Sequence, residues 1–382
     1  MKAIIIGAGI GGLTTAIALD KAGIEAHVFE RAPRLGEVGA GISLWSNATH
    51  VLEHLGLADA LRAHSVAGIP SEVRDWRGRI LSQISADEMR QQSIAVGVLH
   101  RQDLLTMLAG AVNPSRLHLD HVCTGFANGP SAVTAQFAGG KSVSADVLIG
   151  ADGLNSNVRA QLFGSSAPPR YSGYTAWRAV ADFTLSQPKA CETWGRGQRF
   201  GIVPINEQRV YWYATQNAPE GENDSPGALK QDLLQLFHRW HAPIEALLQA
   251  TPESAILRND ICDRDPLPRW SGGRVTLLGD AAHPMTPNLG QGACQAIEDA
   301  VTLASCLANS QNVPASLRDY ETRRIPRTSQ IVLASRRIGD LAQWENPLAC
   351  GLRDVALRLT PRQVALRQMT SVVRYDAVAA SR

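Results

Sequence analysis

Apolar and helical patterns alternate at the start of the chain. Residues 3–6 form an unbroken apolar run, residues 13–22 have helical spacing, and residues 25–30 again have the pattern of a strand. A short apolar run bounded by glycine is typical of a strand buried on both faces. Strand, helix and strand in this order predict a βαβ unit with parallel strands.

The same α/β texture continues to about residue 168. Its predicted elements are helices at 51–61 and 100–108 and strands at 117–128, 132–137 and 143–149. Residues 72–84 alternate between apolar and polar positions around Arg77-Gly78. That alternation predicts a β-hairpin, which we interpret as an excursion out of the first domain.

From Pro168 onward the pattern changes to aromatic-rich strands separated by Gly, Pro and Asn turns. The predicted strands are 173–183, 192–203 and 209–214, followed by a helix at 228–249 and a strand at 253–260. Consecutive strands joined by short turns predict an antiparallel sheet rather than further βαβ units. We interpret this sheet as a second domain inserted into the first.

The last third of the chain is helical. Helical spacing predicts helices at 293–304, 316–343 and 348–370, with a break at Trp344–Pro347. The fold class is therefore α/β: a Rossmann-like domain, an inserted and mostly antiparallel β-sheet domain, and C-terminal helices. The expected boundaries are 1–70, 98–168 and 262–345 for the first domain, 71–97 and 169–261 for the second, and 346–382 for the C-terminal segment.

Composition narrows the class of protein. The 382 residues are 45% hydrophobic and carry a formal net charge of +2, which gives no reason to expect nucleic acid as a partner and makes membrane contact unexpected. The six cysteines are scattered without metal-binding spacing, so we expect no metal site. Cysteines without a disulfide pattern also indicate a protein of a reducing compartment. No apolar run approaches the roughly 20 residues that span a bilayer. We expect a soluble, cytoplasmic protein, either a monomer or a homodimer.

The first turn carries a dinucleotide pattern. Gly7, Gly9, Gly11 and Gly12 lie between the first strand and the first helix, and Glu30 ends the second strand. An acid about 20 residues after such a turn is placed to bind ribose hydroxyls, while the glycines admit a pyrophosphate at the helix N-terminus. By itself Glu30 leaves open whether the dinucleotide is FAD or NAD.

A second strand–loop–helix pattern lies late in the chain, from Arg274 to Gly292. An apolar strand ends at Gly279-Asp280, two prolines hold a loop, and Gly290-Gln291-Gly292 opens a helix. This arrangement predicts one acid beside the free N–H groups of a helix N-terminus, which suits an anion. The alternative is a surface turn with an incidental acid.

Other stretches offer close approach to a ligand. Residues 34–43 are rich in glycine and include Gly41 and Ser43, and the strand at 143–149 ends in Gly150-Ala-Asp152-Gly153. Asp152 suits a phosphate or ribityl group near the following helix, or is merely its N-cap. An arginine at a helix start, such as Arg101, is most often solvated.

In content and order these motifs resemble those of the single-component FAD-dependent aromatic hydroxylases, which have the p-hydroxybenzoate hydroxylase type of fold. The resemblance implies a cofactor, FAD, with NADPH or NADH and O2 as co-substrates, and oxygen transfer through a flavin C4a-hydroperoxide to an aromatic or heteroaromatic small molecule. It also implies a set of cofactor-binding residues. They are Gly7, Gly9, Gly11, Gly12, Glu30, Arg31, Gly41, Ser43, Arg101, Val122, Asp152, Asp280, Gly290, Gln291 and Gly292.

The same resemblance suggests which residues face the substrate. They are Arg178, Arg199, Tyr211, Pro287 and Asn288. Flavin urate hydroxylases share the Arg199 and Tyr211 positions but carry Asn at the position of Arg178 and Asp at that of Asn288. The Trp177-Arg178 pair, Asn288 and the segment 343–347 are more similar to 2-alkyl-4-quinolone hydroxylases.

Other functions stay open at this point. The sequence of residues 287–292 also resembles the corresponding motif of carotenoid epoxidases. A flavin oxidoreductase that does not oxygenate its substrate would share the same cofactor motifs. So would a non-enzymatic, redox-sensing flavoprotein, which would bind FAD without substrate-stimulated reduction.

Overall fold

A computed structural model describes residues 1–36, 40–66, 68–164, 168–224, 227–310 and 312–380. The strands are β1 (Lys2–Ile6), β2 (Glu25–Phe29), β3 (Gly41–Trp45), β4 (Ser71–Asp75), β5 (Ile80–Ile84), β6 (Val96–His100), β7 (Leu117–His118), β8 (Cys123–Asn128), β9 (Val133–Phe137), β10 (Ser142–Ala145), β11 (Val147–Gly150), β12 (Arg170–Asp182), β13 (Ala190–Trp194), β14 (Gln198–Pro204), β15 (Arg209–Asn217), β16 (Leu257–Asp263), β17 (Ser271–Gly272) and β18 (Val275–Leu277). The helices are α1 (Ile10–Lys21), α2 (Ser46–His54), α3 (Ala58–His64), α4 (Ala86–Gln91), α5 (Arg101–Ala111), α6 (Asn157–Phe163), α7 (Leu229–Leu236), α8 (Ile244–Ala250), α9 (Gly292–Ala308), α10 (Val313–Ala342), α11 (Pro347–Leu359), α12 (Arg362–Val373) and α13 (Ala377–Ala380).

The predicted βαβ unit is confirmed as part of a six-stranded sheet with the order β17-β18-β11-β1-β2-β7. From β18 to β7 all neighbours are parallel, and only β17 runs antiparallel. Ile4 and Ile5 of β1 are buried, and α1 and α9 belong to the same apolar core. The carboxyl ends of β1, β11 and β18 therefore meet at one edge, where the glycine- and acid-containing turns follow.

The second sheet has seven strands in the order β16-β12-β15-β14-β13-β4-β5. The hairpin β4-β5 joins the strands that follow residue 169, and only β13 and β4 pair in parallel. One face carries Trp177, Phe200 and Trp212, which form an apolar cluster with α7 and α8. Because side chains alternate along a strand, the neighbouring positions face the other way.

Several predicted boundaries are wrong because of backbone chemistry between the elements. The helix predicted at 228–249 is two helices, α7 and α8, separated by a segment that contains Pro243. The terminal helix predicted at 348–370 is likewise divided into α11 and α12 at Thr360-Pro361. Proline lacks the N–H that would continue a helix and disfavours helical geometry in the residue before it.

Two further predicted elements are interrupted by left-handed residues. The helix predicted at 51–61 is divided by Gly56, which has φ +91°. The strand predicted at 117–128 is interrupted at Asp120, which has φ +56°. Neither a helix nor a strand continues through this conformation. No helix in the described part of the chain is long and apolar enough to cross a membrane.

Candidate functional site

The turn between β1 and α1 needs three of its glycines for packing. Gly7 has φ +106°, and a Cβ there would lie 2.4 Å from the carbonyl oxygen of Ala151. A Cβ on Gly12 would lie 1.9 Å from the carbonyl oxygen of Gly7, and one on Gly11 would lie 2.8 Å from Leu278 Cδ2. These glycines let the strand, the helix and two neighbouring loops approach closely.

Gly9 is open towards a ligand instead. A Cβ on Gly9 would meet no described atom within 4 Å. Gly9 is also the N-cap residue of α1, and its N-terminus has no side-chain cap among the described residues. Open space in front of free N–H groups suits a phosphate, so this corner fits the pyrophosphate of a dinucleotide.

Glu30 follows β2 and faces the same turn. Its Oε2 accepts the N–H of Ala8 at 2.8 Å, and its Oε1 accepts the N–H of Ala32 at 2.9 Å. A carboxylate has about four acceptor sites, so Glu30 keeps capacity for ribose hydroxyls while it orders the turn. Arg31 is the next residue and is exposed.

The second motif forms a loop that we call the Asp280 loop, residues 279–292. It leaves β18 at Gly279 and ends where α9 begins, after Gly290 in the left-handed conformation (φ +61°). Asp280 Oδ1 lies 3.9 Å from the position of a Cβ on Gly292, so the acid is beside the helix N-terminus as predicted. α9 has no side-chain cap, which leaves its first N–H groups available.

Asp280 itself faces open space. Its carboxylate has no hydrogen-bond partner among the residues that the structure describes. Although Asp280 is an exposed residue, the protein atoms around its carboxyl displace water and raise its pKa, while the charges of His283 and Arg101 act in the opposite direction. An acid held without a protein partner beside a helix N-terminus fits a hydroxyl-bearing ligand such as a ribityl chain.

Gln291 points into the protein. Only 1% of this residue is exposed, and its Oε1 accepts hydrogen bonds from Asn47 Nδ2 and Gln295 Nε2, both at 3.0 Å. Its contribution to a ligand would therefore come from the backbone N–H. Gly290 is exposed beside it.

The helix that follows Asp152 is hydrogen-bonded to the Asp280 loop through Arg159. Asp152 accepts hydrogen bonds from the Ser156 hydroxyl and, at 3.2 Å, from the N–H of Val158, so its capping contacts are present at the start of α6. Burial raises the pKa of the Asp152 carboxyl. Arg159 is buried and donates from one nitrogen to the carbonyl oxygens of Ala281 (3.1 Å) and Ala282 (3.2 Å).

β3 contacts the second sheet through Gly41. A Cβ on Gly41 would fall 2.5 Å from the Cγ of Tyr211, so the glycine admits that ring against the β3 backbone. Ser43 is partly exposed two residues further along β3. The preceding residues 37–39, which include Gly39 of the predicted glycine-rich stretch, lie outside the described residues.

Arg101 is the first residue of α5 and is exposed. Its backbone N–H donates to the carbonyl oxygen of Ala40 at 3.0 Å, next to Gly41. Its positive charge acts on the carboxyl of Asp280 and on the phenol of Tyr211. Val122, by contrast, is exposed just before β8, and its side chain is apolar.

The face of the second sheet that points away from α7 and α8 carries Arg178, Arg199, Tyr211 and Tyr213, and we call this face the wall. Arg199 is opposite Thr215, Tyr213 is opposite Arg178, and Tyr211 lies two residues along β15 from Tyr213. Side chains at these positions share one face because the register is regular. The prediction that pairing would bring Arg199 and Tyr211 to one surface is confirmed.

Within the wall, Arg199 is already paired. It is 3% exposed, and its Nε donates to Gln343 Oε1 at 2.8 Å. One of its terminal nitrogens donates to Glu192 Oε1 at 3.2 Å, and its guanidinium lies 5.3 Å from the ring centre of Tyr174. The sheet carboxylate that could satisfy this arginine without a ligand is therefore present.

Among the described residues, Tyr211 and Arg178 have fewer hydrogen-bond partners than Arg199. Both are partly exposed, and Arg178 makes one long hydrogen bond, 3.4 Å, to Asn259 Oδ1. Burial raises the pKa of Tyr211, and the positive charge of the nearby Arg178 opposes that effect. A phenol next to two arginines, Arg178 and Arg101, can donate to or orient an oxygen on a flat ring.

Asn288 is anchored to the scaffold at the edge of this wall. Its Nδ2 donates to Thr286 Oγ1 (2.9 Å) and to the carbonyl oxygen of Ser335 (3.0 Å). Its Oδ1 accepts from the Tyr174 hydroxyl at 3.2 Å. Pro287, immediately before it, is exposed.

Three polar residues outside the predicted set prove important for this geometry: Asn47, Tyr174 and Gln343. Each bonds to a predicted site residue across a long sequence separation, for example 144 residues between Arg199 and Gln343. For Asn47 and Tyr174 the sequence signal is no more than a polar side chain within or next to an apolar element, whereas Gln343 begins the segment 343–347 that resembles the quinolone hydroxylases.

Comparison with known proteins agrees with these features. The family model described as "FAD binding domain" matches residues 1–335. The chain is 46% identical over 365 residues to the Aurachin C monooxygenase/isomerase of Stigmatella aurantiaca, with 94% of each chain covered. It is 34% identical over 351 residues to an FAD-dependent urate hydroxylase of Klebsiella pneumoniae subsp. pneumoniae, with 91% of each covered. The crystal structure of Klebsiella pneumoniae HpxO complexed with FAD and uric acid has a TM-score of 0.92 at 30% identity, over 98% of this chain and 97% of that one.

Proposed function

This chain belongs to the FAD-dependent aromatic monooxygenases, and from that premise we propose that its substrate is a nitrogen heteroaromatic ring with a keto oxygen, of the 2-alkyl-4-quinolone type. The enzyme uses FAD, with NAD(P)H as reductant and O2 as oxidant. The alternative of an alkene epoxidase has weaker support: a zeaxanthin epoxidase of Solanum lycopersicum is 35% identical over 353 residues, but the match covers only 52% of that protein.

The residues at the edge of the parallel sheet fit FAD. Free N–H groups at the start of α1, the open space at Gly9 and the remaining acceptors of Glu30 suit the dinucleotide half. Asp280 would hold the ribityl chain, and the N–H groups at the start of α9 would face the ring. Bound there, FAD would accept reducing equivalents from NAD(P)H and supply the oxygen-transfer chemistry with O2.

One observation carries the proposal for the substrate. The ring of Tyr211 lies against the backbone of Gly41, and Arg101 is hydrogen-bonded to Ala40 next to that glycine, so a ring bound at Tyr211 would adjoin the residues proposed to hold the cofactor. We assign the substrate contacts to Arg178 and Tyr211, with Pro287 at the edge. Arg199 and Asn288 would shape the wall, because their polar atoms are engaged by protein partners.

These contacts favour a keto-type ring oxygen. A guanidinium and a phenol offer donors, so their natural partner is an acceptor on the ring. In the proposed complex the oxygen would fix the orientation of the ring, and the cofactor and the wall on either side of the ring would exclude water from the reacting carbon. Urate is disfavoured because the urate hydroxylases carry Asn at the Arg178 position and Asp at the Asn288 position.

The proposal has consequences for the whole chain. The FAD-binding domain would comprise 1–70, 98–168 and 262–345, the substrate domain 71–97 and 169–261, and residues 346–382 a helical segment packed on them. Six free cysteines suit a reducing cytoplasm. A small aromatic substrate is the one partner that the proposal requires, and a monomer or a homodimer satisfies it.

A substrate screen tests the proposal. Purified protein with FAD is offered 2-alkyl-4-quinolones, urate and simple phenols, and NAD(P)H oxidation is followed together with product mass. Quinolones should accelerate NAD(P)H oxidation and gain one oxygen atom. Stimulation by urate alone would contradict the substrate class. FAD binding without stimulation by any ring would favour the redox-sensing module.

A further inference from the structure

Two adjacent acids of α9 are fully buried. Glu298 and Asp299 have no exposed surface, and neither does Arg324 of α10. Arg324 donates from Nε to Asp299 Oδ1 at 2.7 Å and from a terminal nitrogen to Glu298, while Arg327 donates to both oxygens of Glu298 at 2.8 Å. Two carboxylates and two guanidiniums thus neutralise each other, as buried charges require.

The remaining acceptor sites of Asp299 are occupied by the start of the Asp280 loop. Its Oδ2 accepts the N–H of Gly279 at 3.1 Å and the Nε2–H of His283 at 2.6 Å. Burial alone would raise the pKa of Asp299, but the charges of His283 and Arg324 override it and hold the pKa at about 2. Asp299 is therefore ionised at neutral pH and binds on both sides of Asp280.

Glu298 reaches the other end of the Asp280 loop through Asn47. The Asn47 Nδ2 donates to Glu298 Oε1 at 2.5 Å and to Gln291 Oε1 at 3.0 Å. Gln295 Nε2 donates to the same two oxygens at 3.0 Å. Asn47 lies in α2, directly after β3, so this contact also ties the loop to the strand that carries Gly41.

We propose that Asn47 and Asp299 are positioning residues that hold the two ends of the Asp280 loop in the shape that receives FAD before FAD binds. The inference rests on the proposed role of this loop in holding the cofactor. A preformed loop binds a ligand without the cost of ordering it. Fixed N–H groups at the start of α9 also favour the more negatively charged, reduced cofactor over the oxidised one.

Asn47→Leu tests this with little risk to folding. Leucine has the same number of side-chain heavy atoms as asparagine and the same branching at Cγ, and Glu298 keeps both arginines, so no buried charge loses its partner. Full-length protein is titrated with FAD by fluorescence quenching, and the reduction potential is measured against reference dyes. We expect the Kd for FAD to rise about tenfold and the potential to fall by about 30 mV, a tenfold loss of preference for the reduced form. Asp299→Asn should also raise the Kd for FAD, because the hydrogen bonds of Asp299 to Gly279 and His283 are weakened.

Thr251→Val is the matched control. Thr251 is fully buried and accepts a hydrogen bond from Trp212 Nε1 at 2.8 Å in the other sheet. Its loss should lower Tm and leave the Kd for FAD and the potential unchanged. If Asn47→Leu behaves in the same way, Asn47 is only structural and the inference is overturned. If the unaltered protein fails to bind FAD, the proposed function fails instead, so the two failures are distinguishable.

Discussion

The backbone of Gly41 lies directly against the ring of Tyr211, since a Cβ on the glycine would come within 2.5 Å of the tyrosine Cγ. Gly41 begins β3, which leads into the helix that carries Asn47, and Tyr211 belongs to the wall of the second sheet. This contact would therefore set the spacing between the proposed cofactor site and the proposed substrate site.

Gly41→Ala should therefore displace the Tyr211 ring. We expect an increased KM for the aromatic substrate and more hydrogen peroxide released per NAD(P)H, with a loss of about 1–3 kcal/mol of stability from overpacking. Steady-state kinetics with peroxide detection and thermal unfolding measure these effects. Gly110→Ala is the control, because a Cβ at that helical glycine would meet no described atom within 4 Å. Unchanged KM and coupling in Gly41→Ala would show that the contact is not critical.

Asp280→Ala should weaken FAD retention. A hydrogen bond to a charged group contributes about 1.5–3 kcal/mol, which corresponds to about tenfold or more in Kd. The measurement is the FAD content of the purified protein and its Kd by fluorescence quenching. Asp87→Ala removes an exposed acid outside the proposed site and should leave both unchanged. An Asp280→Ala protein that keeps its FAD through gel filtration would remove this acid from the cofactor site.

Arg178→Ala and Arg199→Ala should separate a substrate contact from a structural pair. Removing Arg199 leaves Glu192 and Gln343 without their buried partner and should cost on the order of 3 kcal/mol of stability, with lower coupling as the wall shifts. Arg178 is partly exposed, so its loss should raise KM and peroxide release with little change in Tm. FAD affinity should be preserved in both. If Arg199→Ala alone raised KM while Tm stayed constant, the two roles would have to be exchanged.

Tyr211 should act as a neutral donor throughout the working pH range. Burial raises the pKa of its phenol above the ordinary value of 10, so the hydroxyl keeps its proton up to at least that pH. We expect Tyr211→Phe to raise KM about tenfold and to leave the alkaline limb of the kcat/KM profile in place. Disappearance of that limb in the variant would mean that Tyr211 itself titrates.

Local pattern was sufficient to predict the parts of the site that lie within one strand–turn–helix unit. The turn from Gly7 to Gly12 follows from the apolar run before it and the helical spacing after it, and Asp280 beside α9 follows in the same way. The shared face of Arg199 and Tyr211 follows from alternation once their strands pair.

Contacts between distant segments were beyond that kind of prediction. Asn47 meets Glu298 across 251 residues, and Arg199 meets Gln343 across 144, so no local periodicity marks either pair. The break between α7 and α8 was not predicted either, because the apolar spacing continues through Pro243 although the backbone of proline cannot extend the helix.

The most direct test of the account is oxygen incorporation with isotope-labelled O2. The full-length protein with FAD is supplied with NAD(P)H, a 2-alkyl-4-quinolone and the heavy isotope of O2, and the product is analysed by mass spectrometry. The account predicts one labelled oxygen atom in the ring for each NAD(P)H consumed. NAD(P)H oxidation that leaves the quinolone without labelled oxygen, or transforms it without O2, would contradict it.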